Sequence, residues 1–145
     1  KYNLVSSMAV HWPEMEKLRD LAAKFPNITI VIDHAGMPME RSEEYFANWR
    51  RGLSAAAEAD NIRIKISGLG MGDNNWTVDS MRPYVLECIE AFGVDRSFFA
   101  TNWPVDWLWS SFDAVVDAYT EIVAGFTQDE EAALFSKNVE ELYDI

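Results

Sequence analysis

Apolar side chains fall along this chain in two rhythms. Four short runs are apolar on both faces and rich in β-branched residues: 3–10 (NLVSSMAV), 28–34 (ITIVIDH), 62–67 (IRIKIS) and 97–101 (SFFAT). That is the pattern of strands covered by helices in a parallel sheet. Between them the period lengthens to that of a helix. Met15, Leu18, Ala22 and Phe25 mark one helical face, and Tyr45, Phe46, Trp49 and Leu53, within 41–59, mark a second. Met81, Val85, Cys88, Ile89 and Phe92 mark a third; Phe112, Val115, Val116, Tyr119, Ile122, Val123 and Phe126 mark a fourth. Stop and start signals agree with these limits. Pro26 and Asn27 close the first helix, Gly93 closes the third, and Thr127 with Glu130 forms a capping box that opens a last helix through Leu142.

The resulting order is βαβαβαβα with an extra C-terminal helix, and strand starts near 3, 28, 62 and 97 lie 25 to 35 residues apart. Such alternation predicts a parallel sheet with right-handed crossovers. No linker, low-complexity tract or composition shift divides residues 1–145, so they are expected to form a single piece. Four βα units fit either a small doubly wound sheet or half of an eight-stranded barrel of roughly 250 residues. A nucleotide-binding sheet places a glycine-rich loop after its first strand, whereas this chain runs Val10-His11-Trp12-Pro13 there, which favours the barrel. The chain begins with Lys1, and strand-like residues follow by Leu4, so the natural N-terminus is expected to lie upstream.

Composition narrows the function classes. Of the 145 residues 49% are hydrophobic and 13% aromatic, too many for an acidic disordered tail. No apolar run reaches the ~18–20 residues of a membrane span, and the first residues lack a secretion-signal pattern. A soluble, cytoplasmic domain is the expectation. With 24 acidic against 12 basic side chains the net charge is −12, which repels phosphate backbones and anionic lipids, so neither nucleic acid nor membrane is expected as a partner. The single cysteine, Cys88, sits on an apolar helical face and is expected to be a buried structural thiol. The acidic residues of 128–131 and 140–144 read as a solvated face.

In parallel α/β folds chemistry gathers at the carboxyl ends of the strands. Those ends are polar here: His11-Trp12-Pro13, Asp33-His34-Ala35-Gly36, Lys65-Ile66-Ser67-Gly68 and Thr101 to Asp106. Side-chain alternation puts Ile30, Ile32 and His34 on one face of the second strand, opposite Val31 and Asp33; in the third, Lys65 and Ser67 lie opposite Ile64 and Ile66. His34 fits a metal ligand, a proton carrier, an oxyanion donor, or a core histidine satisfied by a carbonyl. His11 fits a site residue or a loop residue capping the next helix. A mid-strand lysine calls for a partner, and Lys65 finds it either in a neighbouring carboxylate or in a substrate anion. Asn102 can hold a water or a substrate carbonyl, or serve as turn chemistry before Trp103-Pro104. Asp106 is a general base if its loop folds inward. Trp103, Trp107 and Trp109 either wall a pocket or pack on the last helices.

Five segments, in order and in register, make the pattern specific: D-H-A-G-M-P (33–38), K-I-S-G-L-G-M (65–71), W-T-V-D-S-M-R-P-Y-V (76–85), F-G-V-D-R-S-F-F-A-T-N-W-P-V-D (92–106) and F-S-K-N-V-E-E-L-Y (135–143). Together they resemble the C-terminal half of an amidohydrolase-related protein, one of the amidohydrolase-superfamily TIM barrels, lactonase-like, that include L-fuconolactonase and 2-pyrone-4,6-dicarboxylate lactonase. The resemblance implies that the four strands are the fifth to eighth of a (β/α)8 barrel whose N-terminal half, with its His-x-His, is absent. It places His34 in the active site, on metal or substrate. Asn102 matches the residue closing strand eight, where many members carry an aspartate that activates water. Asparagine cannot accept a proton, which leaves Asp106 as base or ligand. The implied activity is hydrolysis of a lactone or related cyclic ester or amide, with His34, Asn102 and Asp106 catalytic and His11, Lys65, Ser67 and Trp103 binding the small-molecule substrate. The implied cofactor is one divalent metal, zinc, held in part by His34, or none. Alternatives are a half-barrel that self-assembles as a scaffold, and a decarboxylase or hydratase on the same barrel. A homo-oligomer or the missing half is the expected protein partner.

Overall fold

The computed structural model describes residues 4–145 and holds four parallel strands in the order β1-β2-β3-β4. They are β1 (Val5–Met8), β2 (Thr29–Ile32), β3 (Ile62–Ile66) and β4 (Ser97–Phe99). Helices α1 (Met15–Lys24), α2 (Glu43–Ala57), α3 (Val78–Phe92) and α4 (Phe112–Ile122) follow them in turn. Register runs straight across the sheet, with Met8 beside Ile32, Ile32 beside Ile64, and Ile64 beside Ser97.

All four strands are shorter than the apolar runs that predict them. Asn3, in the first run, lies outside the described residues. The second run was expected to continue through His34, but β2 stops at Ile32 because the backbone then turns left-handed: His34, Ala35 and Met37 have φ of 53°, 53° and 52°, and Gly36 has 68°. His34 therefore leaves the face of Ile30 and Ile32. The expected fifth helix is interrupted: α5 (Gln128–Ala132) passes through a π-helical turn (Ala133–Lys137) into α6 (Asn138–Tyr143). Its capping box is present, with Thr127 N–H donating to Glu130 Oε2 at 2.8 Å and Glu130 N–H to Thr127 Oγ1 at 3.3 Å.

One core lies between the sheet and the helices. Ile30, Ile32, Ile62, Ile64 and Ile66 point into it and are almost wholly buried, against Met15 and Leu18 of α1, Trp49 and Leu53 of α2, and Val85 and Cys88 of α3. The alternation of β3 is thus obeyed, with isoleucines inward and Arg63 and Lys65 on the opposite face. Phe99 stacks on Tyr119 at 4.4 Å and nearly parallel, which locks α4 onto β4. Cys88 is fully buried, and burial pushes its thiol pKa upward, so it packs as a small apolar side chain.

At the amino ends of the strands, polar side chains tie helix ends to strand starts. Asn61 Nδ2 donates to the carbonyls of Ala22, Phe25 and Ile28 at 2.9–3.2 Å. Arg96 reaches Ala57, Ala59 and Phe92, and Asn138 reaches Val94 and Ser97. Each adds a side-chain donor to carbonyls at helix ends and strand starts, some of which, such as those of Ala22, Phe25 and Ala59, also accept a backbone N–H.

β1 and β4 are paired on one side only. Beside β1 a cavity of about 400 Å³ is lined by Leu4, Val5, Met8, Leu21, Phe25 and Ile28. Beyond β4, Trp107 and Leu108 are 71% and 74% exposed. Among the described residues, no helix is long and apolar enough to cross a membrane.

Asn61→Ala removes a side-chain donor from three carbonyls, two of which, Ala22 and Phe25, keep a backbone N–H partner. It is expected to cost about 1–2 kcal/mol, a fall in melting temperature of about 2–8 °C for a domain of this size. Thermal unfolding followed by circular dichroism checks it.

Candidate active site

The left-handed turn after β2 is what brings the site together. Gly36 packs so closely on Met15 that a Cβ would lie 2.2 Å from its terminal methyl, which only glycine permits. The Trp49 indole donates to the Ala35 carbonyl at 2.8 Å. Held this way, three non-glycine residues occupy a region costing roughly 1–2 kcal/mol each. Strain maintained by surrounding packing is a mark of a functional site.

The turn aims His34 at the end of β3, where its Nδ1 lies 3.0 Å from Ser67 Oγ. Gly68, with φ of 64°, lies beneath the ring: a Cβ there would come 2.9 Å from His34 Nδ1 and 3.2 Å from Asn102 Nδ2. One glycine thus lets two functional groups from different loops approach. Asn102 is itself left-handed, with φ of 55°, and its Nδ2 donates to Asp106 Oδ1 at 2.8 Å. Asp106 N–H also bonds the Asn102 carbonyl at 3.3 Å, so side chain and backbone close a ring between the two residues. Only 2% of Asp106 is exposed, and a Cβ on Gly70 would lie 3.7 Å from its Oδ2. Burial raises the Asp106 pKa above the ordinary carboxylate range, against the opposing effects of Asn102 and His34. Burial also lowers the His34 pKa, with the Lys65 charge acting the same way and Asp33 and Asp106 opposing.

A second polar group lies beside the first. Lys65 Nζ is 2.7 Å from Asp33 Oδ1, and Ser7 Oγ donates to the same oxygen at 2.6 Å. The neighbouring-carboxylate account of Lys65 is therefore realised, and two of its three N–H donors are left for other acceptors. Burial works to raise the Asp33 pKa, but the hydrogen bonds from Lys65 and Ser7 and the Lys65 charge prevail and hold it below the usual range.

His34, Ser67, Asn102 and Asp106 are thus brought together, with Lys65 on the adjoining strand face. Trp103 follows Asn102, is 42% exposed, and meets Phe112 edge to face at 5.8 Å. His11 is exposed, and its backbone N–H bonds Glu14 Oε2 at 3.0 Å, the loop-capping alternative. Sequence reasoning missed Ser7, Gly68 and Gly70; glycines directly after a strand end were the available signal. It also missed Arg41, whose guanidinium donates to the carbonyls of Pro38 and Leu69 and lies 4.4 Å over the Tyr84 ring, tying the two loops that carry His34 and Ser67.

The donor set was tested for a metal. No group of three or more His, Cys, Asp or Glu is gathered among the described residues. Hydrogen bonds occupy Asp106 Oδ1 and His34 Nδ1 and leave Asp106 Oδ2 and His34 Nε2 as the remaining donor atoms. The described residues by themselves supply fewer than the three ligands that hold a metal ion.

Four βα units with polar groups converging at their carboxyl ends define an α/β protein with a barrel-type site. The chain belongs to the Amidohydrolase family, whose model matches residues 3–145. It is 44% identical over 138 residues to the uncharacterized protein y4mH of Sinorhizobium fredii (strain NBRC 101917 / NGR234), covering 95% of this chain and 46% of that protein. An L-fucono-1,5-lactonase of Burkholderia multivorans is 32% identical over 98 residues, 59% of this chain and 32% of the lactonase. A crystal structure of an amidohydrolase from Burkholderia multivorans with bound HEPES superposes with a TM-score of 0.89 at 24% identity, covering 97% of this chain and 53% of that one. This last likeness carries the fold: the four βα units correspond to about half of a TIM-barrel amidohydrolase. The chain likewise spans about half the length of y4mH.

The Asp33 pair gives a pH prediction. Because its folded pKa is lowered, its contribution is present above the unfolded-state value and is lost as pH falls through the folded one. Asp33→Asn is expected to cost about 1–3 kcal/mol at neutral pH. The gap from the parent should close in acid. Denaturant midpoints at neutral and acid pH measure both.

Proposed function

We propose that this chain carries part of the active site of a hydrolase that opens a lactone or related cyclic ester or amide. The observation that carries the reading is the buried Asp106 carboxylate, oriented by Asn102, whose amide meets His34 across Gly68. Kinship with proteins named L-fucono-1,5-lactonase supports the substrate class.

In this reading His34 polarises the substrate carbonyl and Asp106 accepts a proton from water. A raised pKa makes Asp106 a stronger base than an ordinary aspartate, at the cost of a higher pH for ionisation. The water oxygen bonds the carbonyl carbon and the negative charge builds on the carbonyl oxygen, facing His34. As the ring C–O bond breaks, Asp106 returns its proton to the departing alkoxide. The free Lys65 donors orient a substrate carboxylate, and Trp103 offers an apolar face to the substrate ring. Asn102 holds the base in place and does not act as one.

The two open flanks support a further part of the proposal. Apolar exposure at Leu4, Phe25 and Ile28 on one side and Val105, Trp107 and Leu108 on the other fits surfaces covered by four more βα units, which complete the barrel. A stable dimer of this chain, closing the barrel from two copies, is the competing arrangement, and its oligomeric state in solution distinguishes the two.

The test is turnover by the barrel-complete protein on a panel of lactones, with aromatic carboxylates as the decarboxylase control. Asp106→Asn is expected to lower kcat by about 10²–10⁴-fold and to abolish an acid limb lying above the ordinary aspartate range. Undiminished turnover by this variant sinks the assignment.

A further inference from the structure

Ser67 closes β3 and is wholly buried. Among the described residues its hydroxyl has one hydrogen-bond partner, His34 Nδ1 at 3.0 Å. A hydroxyl carries a proton that needs an acceptor, and a buried donor left without one is strongly disfavoured. The imidazole nitrogen is the acceptor within reach. Were Nδ1 protonated instead, it would donate to Ser67 Oγ and turn the hydroxyl proton toward no acceptor at all. Gly68 packs against the same nitrogen, where a Cβ would come to 2.9 Å. The left-handed turn at His34 and the left-handed Gly68 fix this arrangement from both sides.

We infer that Ser67 donates to His34 Nδ1 and so holds His34 as its Nε2–H tautomer, making Ser67 a positioning residue for the site. The consequence separates roles that the sequence leaves open. An Nε2–H imidazole has no lone pair on that nitrogen for a metal or for a substrate proton; it has an N–H to offer a carbonyl oxygen. Burial favours a neutral imidazole, and the Lys65 charge acts with it against the opposing charges of Asp33 and Asp106. Metal ligation by His34 would require Nε2 to lose its proton and Ser67 to lose its acceptor. The use of this donor in lactone opening rests on the function proposed above; the tautomer does not.

The test reads the ring nitrogens directly. In protein labelled with 15N-histidine, long-range proton–nitrogen correlation spectra above the imidazole titration range distinguish a protonated from an unprotonated nitrogen. Exposed His11 serves as the averaging control, and His11→Gln assigns the signals. The expected result is an unprotonated Nδ1 and a protonated Nε2 on His34. Ser67→Ala is expected to reduce that tautomer preference by about tenfold, the ratio that one ordinary hydrogen bond sustains. A protonated Nδ1 in the parent protein overturns the inference, as does a preference unchanged by Ser67→Ala. Because the parent spectrum alone discriminates the tautomers, the test holds even if the alanine variant does not fold. A wrong substrate class leaves the ring spectra unaltered, so failure of the hydrolase reading and failure of this inference are distinguishable.

Discussion

The indole N–H of Trp49 and the carbonyl of Ala35, 2.8 Å apart, hold the turn on which the site depends. Left to its own preferences, a chain of L-residues avoids left-handed backbone. Here His34 and Ala35 adopt it in succession, and α2 supplies the hydrogen bond while α1 packs Met15 against Gly36. Without that anchoring the second strand would run on, and alternation would send His34 toward the isoleucine face. With it, His34 crosses to Ser67 on the neighbouring strand. Core packing and site geometry are therefore coupled: Trp49, fully buried among Phe46 and Tyr84, is at once the largest core side chain and the support of the turn that carries His34.

The two ends of the sheet divide their tasks. At the amino ends, Asn61, Arg96 and Asn138 gather carbonyls from helix ends and strand starts, which fixes the spacing of the βα units. At the carboxyl ends, glycines replace side chains and polar groups approach one another through the gaps. Gly68 and Gly70 contribute by what they lack. A Cβ at Gly68 would press on Nδ1 of His34, and one at Gly70 would press on the Trp76 indole. This division matches the general rule for barrels, in which the amino face serves stability and the carboxyl face serves chemistry.

Asn102 and Asp106 are held together by both side chain and backbone. The amide of Asn102 orients the carboxylate of Asp106, and the backbone ring between them holds both. With asparagine at the strand end, a carboxylate still stands four residues on, in a setting that raises its pKa. Beside it, Asp33 is held low by Lys65 and Ser7, so two carboxylates close in sequence to His34 or in space to it are driven in opposite directions by their surroundings.

The sequence by itself determined the alternation of strands and helices, the parallel sheet and the inward isoleucines of β3, because these follow from residue type and period. It also pointed to His34, Lys65, Ser67, Asn102 and Asp106, because polar residues at strand ends in such a sheet face the same edge. Motif spacing added the family. Tertiary structure decided where the strands stop, since the left-handed turn needs Trp49 and Met15 from other elements, and no local rule announces it. It chose Asp33 as the partner of Lys65 and placed Ser7 on the same oxygen, contacts spanning 26 residues or more. It brought His34 to Ser67 and Asn102 to the same glycine, and it buried Asp106. Hydrogen bonding, burial and charge depend on distance in space rather than along the chain, and only the fold supplies those distances.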